Sequence, residues 1–375
     1  MENKEKTVAV ICEYNPFHYG HKYQIDKLRA EYGTVVGIMS GSFVQRGEVA
    51  VADKYSRAAA AVTGGMDLVL ELPFPYCVAS GADFATAGAR LAATVGVDSL
   101  AFGAEDGGRW IAEIADLCSA ESFEKEVAAA IKAEPSLSYP KAKCALTERY
   151  LGAEAAAVLA KPNNLLAVEY LTAIKGENLP LTPFAVERDM SLESATEIRA
   201  AAEIAPHVPY PEFFAERRRI EYMERHLLYL MREGVDESLY CMGKELAATL
   251  RNAARQASEL KEAVALATGK VYTAARVRRA IVAAWLGIRA EEVKAPPAYT
   301  ALLAATQRGT AFMKKLKKNT ALPVLTKPAR YKELEGAARA QAERTLMADE
   351  AAAMCVPALG AYGTALAKTP FILKG

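Results

Sequence analysis

The sequence predicts a doubly wound α/β fold, a parallel sheet with helices on both faces, followed by a mainly α-helical domain. Three observations predict it. In the first half, short β-branched apolar runs alternate with amphipathic stretches at helical spacing. Those apolar runs are continuous rather than alternating, as expected of strands covered on both faces. Beyond about residue 200 helical periodicity takes over and strand-like runs nearly vanish.

The elements follow in order. Residues 7–12 (TVAVIC) read as the first strand and 18–32 as the first helix. Strands at 34–39, 67–72 and 99–102 alternate with helices at 54–63 and 82–94, and an apolar run at 181–186 after a helix at 165–175 supplies a fifth strand. The prolines of APHVPYP (205–211) mark a linker. The expected division is therefore an N-terminal nucleotide-binding domain, 1–204, and a helical domain, 205–375. Helical periodicity covers 214–231, 244–267, 273–285 and an alanine-rich stretch at 335–353, with mixed segments near 323–325. A doubly wound sheet places its ligand crevice at the carboxyl ends of the strands.

Composition narrows the classes. The chain has 375 residues, 52% hydrophobic and 24% charged, which is ordinary for a globular enzyme and excludes a disordered chain. The net charge is only +1, so any nucleic-acid surface must be a local patch. Cys12, Cys77, Cys118, Cys144, Cys241 and Cys355 are scattered without zinc spacing, so no protein-held metal is expected. The sequence lacks a secretory h-region and any apolar run of about eighteen residues. A cytoplasmic location without membrane contact is expected.

The chemistry concentrates where the first strand meets the first helix, in Glu13-Tyr14-Asn15-Pro16-Phe17-His18-Tyr19-Gly20-His21. Proline ends the strand, since it cannot join the ladder. A helix N-terminus offers free amides and a dipole that favour phosphate. His18 and His21 lie three apart and share one face of the first turn, while Gly20 permits close approach. Two imidazoles there can donate hydrogen bonds to an α-phosphate as charge builds on its oxygens. H-x-G-H arises by chance in about three chains per thousand of this composition, so its position at the first strand-to-helix turn is what gives it weight. The alternative is a helix cap beside two satisfied histidines.

A second motif follows the fifth strand. In Ser194-Ala195-Thr196-Glu197-Ile198-Arg199, hydroxyls and a guanidinium can reach phosphate oxygens across the crevice. Alone, this pattern also reads as an N-cap followed by a solvated arginine.

Together these residues resemble the HIGH-type nucleotidyltransferase superfamily, whose fold is a Rossmann-like sheet. EYNPFHYGH, the stretch 39–73 beginning MSGSFVQRGE, FGAE (102–105), KPNNLLAVEYLTAI (161–174) and SATEIR narrow the resemblance to the bacterial tRNA(Met) cytidine acetate ligase family. KVYTAARVRRAIVAAWLGI (270–288) and LPVLTK (322–327) are similar to that family as well. The likeness is densest between residues 11 and 105. It implies a ligase that activates acetate as acetyl-adenylate, releasing pyrophosphate from ATP. The acetyl group then passes to N4 of the wobble cytidine of elongator tRNA(Met). It also implies that ATP is held by Ile11, Cys12, Glu13, Tyr14, Asn15, Pro16, Phe17, His18, Tyr19, Gly20, His21, Lys22, Tyr23 and Gln24 with Gly103, Asn163 and Arg188. His18, His21, Ser194, Thr196 and Arg199 are the expected catalytic set, with Mg²⁺ accompanying the ATP.

Local alternatives stand beside these assignments. Gly103 also reads as a turn glycine, Asn163 as the N-cap of the following helix, and Arg188 as a solvated strand end. Gln45 and Arg46, in the loop after the second strand, are candidates for substrate contact, or simply surround a turn at Gly47. One departure concerns the acceptor: only Asp189 to Glu193 separate Arg188 from Ser194, where the family carries a longer element.

Basic residues cluster in the second half. Arg217, Arg218 and Arg219, then Arg276, Arg278 and Arg279, then Lys314, Lys315, Lys317 and Lys318 suit contacts to an RNA backbone, with Tyr272 placed to stack on a base. Taken alone, each cluster reads more readily as a solvated helix face; their restriction to the domain attached to a nucleotide-activating site is what favours RNA. Two other functions remain: an adenylyltransferase for a different small acid or phosphate acceptor, and a non-catalytic RNA-binding homologue.

Overall fold

The computed structural model of the chain describes residues 5–105, 109–134 and 137–374. Ten strands are present among them: β1 (Thr7–Cys12), β2 (Thr34–Ser40), β3 (Phe43–Val44), β4 (Glu48–Val49), β5 (Leu68–Leu72), β6 (Ser99–Ala104), β7 (Thr182–Glu187), β8 (Thr300–Ala305), β9 (Val324–Leu325) and β10 (Phe371–Ile372). The main sheet runs β10-β8-β5-β2-β1-β6-β7, with β9 pairing β8. From β5 to β7 all neighbours are parallel, in the register Thr7↔Thr34 and Ser99↔Thr182. β3 and β4 form a separate antiparallel hairpin.

The central strands are buried along their length, as the continuous apolar runs require. One face is covered by α1 (Tyr19–Glu31) and α2 (Lys54–Thr63), whose Ile25, Leu28, Ala58 and Val62 share a core with Val8, Val10 and Val35. α3 (Gly81–Thr94) and the helix Pro162–Gly176 cover the other face with Phe84, Leu91, Ala167 and Leu171. Gly88 lets α3 approach β1 closely; a methyl group there would meet Ile11 Cδ1 at 2.5 Å. The strand order reverses between β2 and β6 around β1, so the histidine loop leaves the sheet at its topological switch point.

Past residue 205 the expected helices are present with different bounds. The predicted 214–231 helix opens as short 3₁₀ turns, Pro211–Phe214 and Ile220–Met223, before Glu224–Glu233. The predicted 244–267 helix is two, Lys244–Gln256 and Leu260–Ala267, broken where Ala257 and Glu259 turn extended; Glu262 Oε2 accepts Ser258 N–H at 2.8 Å across the start of the second. With Ala274–Leu286 these enclose a core of Leu227, Met231, Leu246, Leu250 and Ile281.

The main sheet draws strands from both sides of the expected boundary near Ala205. β8 and β10 come from the second half of the chain, and β8 pairs antiparallel with β5. Its sequence, TALLAA, is rich in helix formers, and every position is buried, so neither composition nor alternation marks it as a strand. Helices at Arg109–Cys118, Glu121–Ala133, Tyr139–Leu151 and Ala153–Leu159 occupy the stretch that sequence periodicity left unassigned. Among the described residues no helix is long and apolar enough to cross a membrane.

Candidate active site

The N-terminus of α1 is capped by the two histidines themselves. His18 is the N-cap, and its Nδ1 accepts Gly20 N–H at 3.1 Å. His21 Nδ1 in turn accepts His18 N–H at 3.3 Å. The rings lie 3.8 Å apart, centroid to centroid. A neutral imidazole that accepts at Nδ1 carries its proton on Nε2. The caps therefore leave each ring with an Nε2–H to donate.

The electrostatics favour that neutral form. Burial lowers the His18 pKa to about 4, and Arg188 and Arg199 reinforce the shift. His21 is also pushed down, first by burial and then by His18, Arg188 and Arg199. Gly20 is required sterically, because a Cβ there would lie 2.9 Å from His18 Cε1.

The flanking loop is anchored by packing and hydrogen bonds. Tyr14 and Phe17 are buried and meet edge to face at 5.1 Å. The Asn15-Pro16 bond is cis, Asn15 Oδ1 accepts Val51 N–H at 2.7 Å, and Asn15 O accepts Arg199 Nη1 at 2.8 Å. The side chains of Ile11, Cys12, Tyr14 and Phe17 thus belong to the cores beneath the loop. Tyr19 is exposed, Lys22 pairs with Asp26 at 2.8 Å, and Tyr23 lies under Lys27.

One wall of the crevice is built around Glu105. Its Oε1 accepts Asn163 Nδ2 and, at 3.2 Å, Arg188 Nη1. Asn164 Oδ1 accepts Glu105 N–H at 2.9 Å. A Cβ on Gly103 would lie 3.4 Å from Arg188 Cγ and 4.0 Å from Gln24 Nε2. Gly103, Asn163, Arg188 and Gln24 therefore meet, although they are far apart in sequence. Asn163 is not the cap of its helix: Lys161 is the N-cap and Pro162 occupies the first turn. Nothing in periodicity singled out Glu105; its place at the end of β6 was the available signal.

The opposite wall joins the second motif to the β3–β4 hairpin. Ser194 caps its helix, accepting Glu197 N–H at 3.3 Å while Glu197 Oε2 accepts Ser194 N–H at 2.7 Å, so capping accounts for this serine. Thr196 Oγ1 accepts Arg46 Nη1 at 3.4 Å and Arg199 Nη2 at 3.3 Å. Gln45 N–H donates to Glu13 Oε1 at 2.6 Å, and burial raises the Glu13 pKa.

Under the loops lies Arg57, fully buried, which the sequence reading passed over. Its guanidinium donates to the carbonyls of Glu13, Ser40, Gly41 and Ala52. Nearby, Lys54 Nζ donates to Glu71 Oε1 at 2.7 Å and Asp349 Oδ2 at 2.7 Å, and Ser42 Oγ donates to Asp349 Oδ1 at 2.7 Å. These buried groups hold the carboxyl ends of β1, β2 and β5 to one another.

A profile of the HIGH nucleotidyltransferase family matches residues 5–362. The tRNA(Met) cytidine acetate ligase of Caldanaerobacter subterraneus subsp. tengcongensis is 32% identical over 87% of this chain and 90% of its own length. That of Streptococcus pneumoniae serotype 2 is 33% identical over 84% and 87%. The chain belongs to the tRNA(Met) cytidine acetate ligase family. It is an enzyme of the ligase class. The crystal structure of Thermotoga maritima TmcAL bound with alpha-thio ATP superposes with a TM-score of 0.91 at 24% identity, covering 99% of this chain and all of that one, so the fold is shared.

The ligase-family chain distributes its basic residues unevenly between internal bonds and solvent. Arg217 donates to the carbonyls of Ala201 and Arg199, and Arg218 Nη2 bonds Asp53 Oδ2 at 3.1 Å. Arg279 Nη1 donates to Gln45 O at 3.3 Å and Arg278 Nε to Arg46 O at 3.3 Å. These four brace the loops around the site. Arg276 covers Tyr272 at 5.1 Å, and Lys314 and Lys315 are exposed on the helix Gln307–Asn319.

Proposed function

We propose that this chain activates acetate as acetyl-adenylate and transfers the acetyl group to N4 of the wobble cytidine of elongator tRNA(Met). The observation that carries the reading is the reciprocal histidine cap, which leaves two neutral Nε2–H donors side by side at a helix N-terminus. Acetate oxygen attacks the α-phosphorus and pyrophosphate leaves. His18 and His21 donate to the α-phosphate oxygens as negative charge builds there, and need not change protonation. Arg199 and Arg46, joined through Thr196, hold the departing phosphates. Gly103, Asn163 and Arg188 hold the nucleoside end against Glu105. In the second step the N4 amine attacks the acetyl carbon, AMP leaves, and the amine loses one proton. The names of the relatives support both acetate and tRNA(Met) as substrates.

Mg²⁺ is expected to travel with ATP. Among the described residues no three His, Cys, Asp or Glu side chains converge as a metal cluster, and Glu105 and Glu13 are already engaged. The triphosphate oxygens would therefore carry the ion, and its chemistry would be to neutralise the leaving phosphates.

The test is incubation with ATP, acetate and tRNA(Met), followed by nucleoside mass spectrometry. Acetate-dependent exchange of pyrophosphate into ATP and a new N4-acetylcytidine are expected, with both lost in His21→Ala. Exchange that ignores acetate, or acetylation at another nucleoside, overturns the assignment.

A further inference from the structure

Continuous with the Arg46–Thr196–Arg199 wall of the site, and extending away from the histidine loop, lies a cleft of about 460 Å³. It opens between the hairpin residues Gly47 to Val49, the Thr196–Arg199 turn, the ribbon 217–221, and the two helices Leu260–Ala267 and Ala274–Leu286. We propose that this cleft seats a single unpaired nucleotide of the RNA acceptor, the one next to the nucleotide that reacts. The proposal rests on the RNA-modifying reading and names where that RNA is held.

Three features argue for it. The ionisable lining is strongly cationic: seven arginines and lysines against Glu48 and Glu221, in a chain whose net charge is only +1. Most of these cations are spoken for by internal carbonyls or carboxylates. Arg219 and Lys261 are not; both are exposed and make no side-chain hydrogen bond or ion pair among the described residues. Two free cations at the rim suit two phosphates of a strand.

The floor is apolar. Val49, Leu260, Val264 and Ile281 line it beneath the charged rim. A base can lie against this apolar surface and stack on the guanidinium planes beside it, with its phosphates at the rim. The volume lies within the range of about 300 to 1,000 Å³ for pockets that enclose small ligands, which suits one nucleotide and excludes a double helix.

The inner end adjoins the chemistry. Arg199 lines the cleft and also donates to Asn15 O in the histidine loop. Arg46 lines it and bonds Thr196. A nucleotide in the cleft would thus share Arg199 and Arg46 with the wall that faces the histidine loop. The helical core exists, in this view, to build the far wall of the seat.

The test uses the full chain and a fluorescent single-stranded RNA oligonucleotide with the anticodon-loop sequence, followed by anisotropy. Arg219→Glu with Lys261→Glu should weaken binding about tenfold or more and flatten the log–log salt dependence by about two contacts. Val264→Trp, which fills the floor, should weaken binding without changing the salt slope. Replacing the flanking nucleotide by an abasic one should remove the difference between Val264→Trp and wild type. Thermal unfolding checks that each variant is folded, and Val264→Leu should bind as wild type does. Unchanged oligonucleotide binding in both the double charge reversal and Val264→Trp overturns the proposal. So does competition by inorganic pyrophosphate at the oligonucleotide's own potency, which would make the cleft an extension of the ATP phosphate seat. Acetate-dependent pyrophosphate exchange is measured alongside. Its absence in wild type with the binding pattern intact defeats the acetate reading and leaves the seat standing; the converse defeats the seat alone.

Discussion

Two imidazoles acting as helix caps tie folding to chemistry at single residues. The ordinary imidazole pKa is 6.5 and that of His18 is about 4, so between these values the native state binds fewer protons than the unfolded chain. Stability contributed by neutral His18 is fully present above about pH 6.5 and is lost as pH falls towards 4, a change of order 3 kcal/mol. Urea denaturation across that window should show a slope that His18→Asn diminishes, since asparagine caps without titrating. The pyrophosphate-exchange rate should show no histidine limb between about pH 6 and 8; a limb near 6.5 would put the rings in solvent. Glu105→Gln tests the facing wall. Weakening the carboxylate that joins Asn163 to Arg188 should raise the ATP KM by about tenfold while kcat changes little. Arg57→Leu orphans four buried carbonyls and should cost on the order of 3 kcal/mol in a denaturant titration.

At the scale of elements, the β3–β4 hairpin is the piece most dependent on its neighbours. Gly47 has φ of +73°, and a Cβ on it would approach Arg279 N to 2.4 Å. Gly47→Ala should therefore push the hairpin off the helix Ala274–Leu286, costing about 1 to 3 kcal/mol and loosening Arg46 from Thr196. Loss of exchange activity beyond the loss of stability would show the hairpin's role; unchanged activity would deny it. Legibility followed the same line. The strands and helices around the His-x-Gly-His turn were readable because strong local signals, a β-branched run, a proline and a periodic helix, agree. Thr273 and Ser194 were legible as helix starts for the same reason. Glu105, Arg57 and Asp349 were not, since each acts through partners distant in sequence. Asn163 looked like a cap because asparagine is a preferred capping residue and an apolar helix follows it; Pro162 takes the first helical position, which makes Lys161 the cap and leaves Asn163 to bond Glu105.

For the molecule as a whole, the buried ion network matters most. Lys54, Glu71 and Asp349 join α2, β5 and the helix Gly336–Ala353 with no solvent between them. Lys54→Met strands two buried carboxylates and should cost more than about 3 kcal/mol, with Asp349→Asn milder because Glu71 remains. The fold class was readable from the first half alone, but the closing strand was not, because TALLAA carries no strand periodicity. A fragment ending near residue 204 lacks β8 and the Asp349 carboxylate, and should fail to unfold cooperatively; a sharp transition in such a fragment would contradict this account.

The late arrival of β8 also has a consequence for biosynthesis. While the ribosome is still translating the helical half, the β5 edge of the nascent sheet has no partner and exposes its amides and carbonyls. The emerging chain is thus most prone to pair with other nascent chains in that interval, and codon-level slowing just upstream of β8 would lengthen it.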